Sequence, residues 1–393
     1  MDAHGCPDQG PRGAAGAWAE LQAKPPVMGG PAFSRSASMC SSQTLASLEN
    51  TCSGLSQRAG GPDGGQAMAD DAFYASPADC APGLAPRAAP GGWLEPAEQG
   101  GPASATYAAC TEMIRQHKAA EAPVAAELAS LAGSGQLDEG SRLIVVSWMV
   151  EVAEEFGLQQ ETLHAAVALL DRFLATSNGV PRCVLQLVAV GCIFVASKQL
   201  EVVHPSVAQM VAVAAHSFSA GDLLRVERIL LDGLAFAVTT PTPYAFLHLL
   251  TQATLAANVA SGAGVGPSTE AVVSLAMYVT ELALLDTAAL THRGSELATA
   301  ALLLAHATLS RTCDAWPGVL CAAGLTAEAL SPALGALQRL HAAAAAPASA
   351  QLAELLAPLK AKFGQDCWCR VASEVVPLAL QTQAGAGPQP ARA

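Results

Sequence analysis

The chain has 393 residues, with 20 Lys and Arg against 33 Asp and Glu, and its formal net charge is -13. It has no run of basic residues, which argues against a nucleic-acid or membrane-surface role, because displacing counterions from phosphate takes clustered cations. The hydrophobic fraction is 51%, but aromatics make up only 5% and alanine and glycine are abundant, so composition overstates the core.

Residues 1–105 are dominated by Gly, Ala, Pro, Ser and Gln with no period of 2 or 3.6, which predicts a long disordered N-terminal tail. The opening MDAHGCPDQG has neither the basic nor the apolar region of a secretory leader. The 11 cysteines are scattered, several within apolar helical patterns, as in a reduced intracellular protein.

From residue 106 onward, apolar-periodic segments alternate with short polar breaks and strand-like alternation is absent, so the expected fold is all-α. About five helices are expected between Ser141 and Leu234 and about five between Pro243 and Val376, giving lobes at 106–240 and 241–378 and a disordered tail at 379–393. Breaks are expected at the Gly/Ala-rich 261–268 and the Ala-rich 342–350.

The helix RLIVVSWMVEVAEEF, starting at Arg142, is apolar nearly all round apart from a narrow stripe of Ser147, Glu151, Glu154 and Glu155. Ile144 and Trp148 share a face with Glu151, which suits a peptide carrying one basic and one aliphatic residue. The plainer alternative is a core tryptophan beside solvated glutamates. In TLHAAVALLDRFL, Asp171 lies beside Val167 and Leu174 and needs a cation, for which Arg142 is available. The uncharged Val184–Ser197 stretch falls short of the roughly 20 residues that cross a bilayer. It leads directly to Lys198.

In LLRVERILLDGL the apolar stripe is Leu223, Leu230 and Leu234, flanked by Leu224 and Leu231, with Glu227 in its middle. A carboxylate there costs several kcal/mol unless it is paired, and Lys198 is the candidate partner. A lysine closing a helix is also favourable by itself. Helix starts are marked by Ser219 with Asp222, by Thr242–Pro243 and by Ser331–Pro332.

Enzymatic readings find no footing in the sequence. GAGVG at 262–266 is not followed by Lys-Ser or Lys-Thr, and Cys367 and Cys369 lack a second ligand pair. The nine histidines form no metal-binding pattern. No catalytic residue, metal or cofactor is expected.

The segment from Gln136 to Leu250, with QLDEGSRLIVVSWMVEVAEEF, LQQETLHAAVALLDRFL, LQLVAVGCIFVASK and LLRVERILLDGL in register, resembles the N-terminal cyclin box of the A/B type, most nearly the A-type. LAMYVTELALLDTAALTHRGSELATAALLLAHATL, followed by LQRLHAAAAA and LAPLKAKF, is similar to the second box. The resemblance implies two tandem cyclin-box bundles in a regulatory subunit that binds and activates a cyclin-dependent protein kinase in cell-cycle progression. By the same resemblance, Lys198 and Glu227 contact the kinase, Arg142 and Asp171 form a structural ion pair, and Leu187 is the leucine of LQLV.

The resemblance also implies a docking patch for Arg-x-Leu segments of substrates or inhibitors, built from Ile144, Val145, Trp148, Glu151, Arg182, Leu185 and Gln186. It implies residence in nucleus and cytoplasm, with no nucleic-acid or membrane partner. Several positions depart from the family pattern. Ser141 and Ser147 replace a methionine and an aspartate at the patch, and Gln199 and Leu200 replace an aromatic and an acid after Lys198. Arg12, Arg35, Arg58 and Arg87 are not followed by leucine three residues on, so no destruction signal is visible. The rival readings are a cyclin-fold scaffold like general transcription factor IIB, which usually carries basic surface, and an all-helical enzyme.

Overall fold

The computed structural model describes residues 103–133, 139–177, 180–260, 268–310 and 316–378. Residues 1–102 and 379–393 of the expected tails, the four tail arginines and most of the Gly/Ala break at 261–268 lie outside the described residues, whereas residues 103–105, expected in the tail, open a helix. Thirteen α-helices and no strand occur among the described residues. They are α1 Ala103–Gly133, α2 Glu139–Glu155, α3 Gln160–Thr176, α4 Arg182–Leu200, α5 Val207–Val213, α6 Ala220–Gly233, α7 Pro243–Ala260 and α8 Ser268–Leu285. After these come α9 Gly294–Ser310, α10 Trp316–Ala323, α11 Ala327–Ala345, α12 Ala350–Phe363 and α13 Val371–Glu374.

Among the described residues, 126–240 form one compact unit, and 241–378 together with 103–125 form a second. The first unit is built round α4. Val184 and every residue from Leu187 to Ser197 are buried, with α2, α3 and α6 packed about them. By length and composition α4 resembles a membrane span, but most of its surface is covered inside the bundle.

Gly191 fixes how closely α4 and α6 approach. A Cβ there would lie 2.5 Å from Val226 Cγ1 and 2.8 Å from Leu230 Cδ1, closer than packed carbons come. The end of α4 and the middle of α6 are thereby held side by side, and these carry Lys198 and Glu227.

Local chemistry sets the helix starts. Ser219 Oγ accepts from the Asp222 N–H at 3.2 Å, while Asp222 accepts from the Ser219 N–H at 3.0 Å, a reciprocal capping box. Ser206 and Gln209 form a second one at α5. Thr242 Oγ1 caps α7 at 3.3 Å, with Pro243 as the first helical residue. Ser331–Pro332, by contrast, does not start a helix. The N-cap of α11 is Thr326, which accepts from the Ala329 N–H, and Pro332 lies inside the helix. Proline lacks one N–H, and burial of Leu330 and Ala333 offsets that loss.

The second unit holds seven helices between Pro243 and Glu374, where about five were expected; α10 and α13 are short. Residues 106–125, counted with the first lobe from the sequence, pack with the second unit. The buried Glu121 carboxylate accepts from the Ser295 N–H at 2.9 Å and the Ser295 hydroxyl at 2.7 Å, satisfying the start of α9. Lys118 donates to the carbonyls of Ala323 and Gly324 at 3.0 and 3.2 Å, closing α10.

Candidate functional site

Lys198 sits in the last turn of α4, and its ammonium lies 4.1 Å from the centroid of the Phe194 ring. It donates to Glu227 Oε1 on α6. The side chains are 33% and 16% exposed, so the pair is part-shielded and still open to an incoming partner.

The core face of α6 is Leu223, Val226, Ile229 and Leu230, with Leu234 buried just beyond it. Glu227 lies at the edge of that face, four residues after Leu223 and three before Leu230, with Leu224, which is 50% exposed, and the half-buried Leu231 on its other side. The carboxylate thus stands between the core and an outward-facing apolar strip.

More apolar surface flanks the pair along the chain. Val202 and Val203, just beyond α4, are exposed, as is Phe236, at 66%. Phe236 has φ 60° and follows Ala235 at φ 49°, a left-handed turn that aromatics rarely adopt. The turn is closed by the Phe236 N–H donating to the Leu231 carbonyl at 2.8 Å. Gln199 Nε2 donates to Thr239 Oγ1 at 2.8 Å, which holds the segment after Phe236 against the end of α4. Glu201 lies in the same stretch but points inward, accepting from the Gln159 N–H at 2.7 Å and the Thr162 hydroxyl at 2.6 Å at the start of α3.

Arg142 and Asp171 are joined bidentately, Nε to Oδ1 and Nη2 to Oδ2, each at 2.7 Å, and both side chains are almost wholly buried. This geometry ties α2 to α3 beneath the surface. The residues of the implied docking patch divide by exposure: Val145 and Trp148 are buried, Ile144, Glu151, Leu185 and Gln186 are half-buried, and Arg182 is exposed. Trp148 at 4% exposure offers a partner little area of its own. Gln186 accepts from the Ser217 hydroxyl at 3.4 Å, while its Nε2 is buried without a hydrogen-bond partner.

A second buried ion pair has no counterpart in the sequence reading. Lys362 on α12 donates to both oxygens of Glu281 on α8, at 2.5 and 2.8 Å, with both side chains 1% exposed. Its signal was the one that marked Asp171, a lone charge in an apolar helix, here Glu281 in YVTELALL. Among the described residues no cluster of three His, Cys, Asp or Glu could hold a metal ion.

The described residues form two all-α units, and the first carries this polar pair. The chain belongs to the cyclin family: residues 112–239 match the model described as Cyclin, N-terminal domain, and residues 241–366 match Cyclin, C-terminal domain. It is 39% identical to Cyclin-A2 of Gallus gallus over 208 residues, 52% of this chain and 48% of that protein. With Cyclin-B2-1 of Oryza sativa subsp. japonica it shares 30% identity over 223 residues, 57% of this chain and 50% of that protein. The chain spans about half the length of these curated relatives. The crystal structure of a viral cyclin from herpesvirus saimiri aligns with TM-score 0.45 and 18% identity, covering 52% of this chain and 85% of that one.

Proposed function

We propose that this chain docks on a cyclin-dependent kinase through the face centred on Lys198 and Glu227 and shifts the kinase to its active arrangement. The observation that carries this reading is the part-exposed ion pair set beside outward-facing apolar side chains, Leu224 on α6 and Phe236 after it. Binding removes that apolar area from water, and the ion pair, already formed, supplies orientation with little side-chain entropy left to lose. The kinase's own lysine–glutamate pair and metal-binding aspartate then line up, so phosphoryl-transfer chemistry belongs to the partner. The chain thereby promotes cell-cycle progression at the G1/S and G2/M transitions and resides in nucleus and cytoplasm. The expected result is co-purification with at least one member of a panel of cyclin-dependent kinases and a rise in histone phosphorylation on adding the chain. Failure to bind any member would leave a cyclin-fold scaffold as the better reading.

The same complex recruits substrates through the patch on α2 and the start of α4. Glu151 takes the basic residue of an Arg-x-Leu segment, Leu185 and Ile144 take the leucine, and the orphan Gln186 Nε2 donates to the peptide backbone. Because Trp148 is buried, it serves as floor and not as a contact. Glu151→Ala is expected to weaken binding of an Arg-x-Leu peptide about 10-fold, the cost of about one charge-assisted hydrogen bond, without changing kinase affinity. Equal peptide affinity in the variant, by fluorescence anisotropy, removes the patch from the account.

A further inference from the structure

The connection between α6 and α7 contains a second polar feature, formed by Arg172 of α3. Its side chain is nine-tenths buried, and its Nη1 donates to the Ala237 carbonyl at 2.5 Å and to Thr240 Oγ1 at 2.7 Å. Its Nε is buried with no hydrogen-bond partner. Both acceptors are neutral oxygens, and Glu127 acts on the guanidinium only through space. Burial lowers the pKa of Arg172 from its ordinary value, and the charge of Glu127 offsets that only in part. A cation in that position has an unmet demand for an anion.

The residue it holds is followed by proline. Residues 237–242 are non-helical, Thr240 is half-buried, and Pro241 removes the next N–H and keeps Thr240 in an extended conformation. Two other Ser/Thr-Pro steps fall among the described residues, and neither offers this setting. The Thr242 hydroxyl is buried and occupied in capping α7, and Ser331 lies within α11.

We propose that Thr240 is a phosphoacceptor for a proline-directed serine/threonine protein kinase and that Arg172 receives the phosphate. In the transfer, Thr240 Oγ1 forms a bond to the γ-phosphorus of ATP, the bridging bond to the β-phosphate breaks, ADP leaves, and the hydroxyl proton passes to the kinase's base. The product places about 1.5–2 negative charges and three acceptor oxygens beside the guanidinium and its unused Nε–H. Tying residue 240 to α3 stiffens the segment that Gln199 holds through Thr239, next to Lys198.

The site stands independently of the kinase-activation reading, so the test uses a proline-directed kinase that is active without this chain. The full chain is incubated with that kinase and Mg-ATP, phosphosites are mapped by mass spectrometry, and thermal melting is compared before and after. The expected result is label on Thr240 with a rise in melting temperature of about 3–6 °C, the shift of a modest new contact in a unit of about 115 residues. Thr240→Ala should show no rise. Arg172→Lys, which keeps the charge but lacks Nε–H, should show less than half the rise, and Arg172→Gln none; if Arg172→Gln does not fold, the lysine variant decides. Absence of label on Thr240, whatever else is labelled, overturns the proposal. So does a labelled protein that melts at or below its original temperature, or an equal rise in Arg172→Lys.

Discussion

Lys198→Glu with Glu227→Ala is expected to weaken kinase association at least 30-fold while leaving the fold intact. The pair sits at the rim of the bundle, so its loss exposes no new core. In the complex, the same change leaves kinase groups buried against a missing or reversed charge, a cost of about 2–5 kcal/mol. That corresponds to roughly a 30- to several-thousand-fold rise in Kd. Titration calorimetry against a kinase bound by the unaltered chain provides the measurement, with circular dichroism as the control for folding. Unchanged affinity would move the interface away from α4 and α6.

The second large effect concerns stability, in the second unit. Lys362→Met removes the cation that balances the Glu281 carboxylate, a side chain only 1% exposed, and is expected to cost about 3–5 kcal/mol. Replacing both partners, Lys362→Met with Glu281→Leu, should recover most of that loss, because two apolar side chains need no mutual neutralisation. Hydrogen exchange of the α8 and α12 amides under increasing denaturant reads the second unit separately from the first. A single variant as stable as the parent, or a double variant worse than the single, would show that the pair is not what holds α12 to α8.

Most of the helical frame could be read from the sequence, because its signals are short-range. Apolar period, the reciprocal Ser219–Asp222 cap and Thr242–Pro243 each act within one turn. A lone charge in an apolar helix was informative too: Asp171 has Arg142 as its partner, and Lys198 meets Glu227. The stripe of Leu223, Leu230 and Leu234 was legible as the buried face of α6, but the closeness of α4 and α6 was not, because it depends on Gly191 lying against Val226 and Leu230. The exposed Phe236 depends on a left-handed turn that nothing in its residue type suggests. Lys362, near the end of its helix, carries no local sign of burial, because its acceptor lies 81 residues away.

The same separation in sequence governs how α1 matures during synthesis. Glu121 leaves the ribosome early, but Ser295, whose N–H it caps, follows 174 residues later. At a typical 5–20 residues per second, that helix waits roughly 9–35 s for the groups it satisfies, while residues 139–233 can already be folding. A nascent chain of this protein therefore carries α1 without its final neighbours while the next 174 residues are made.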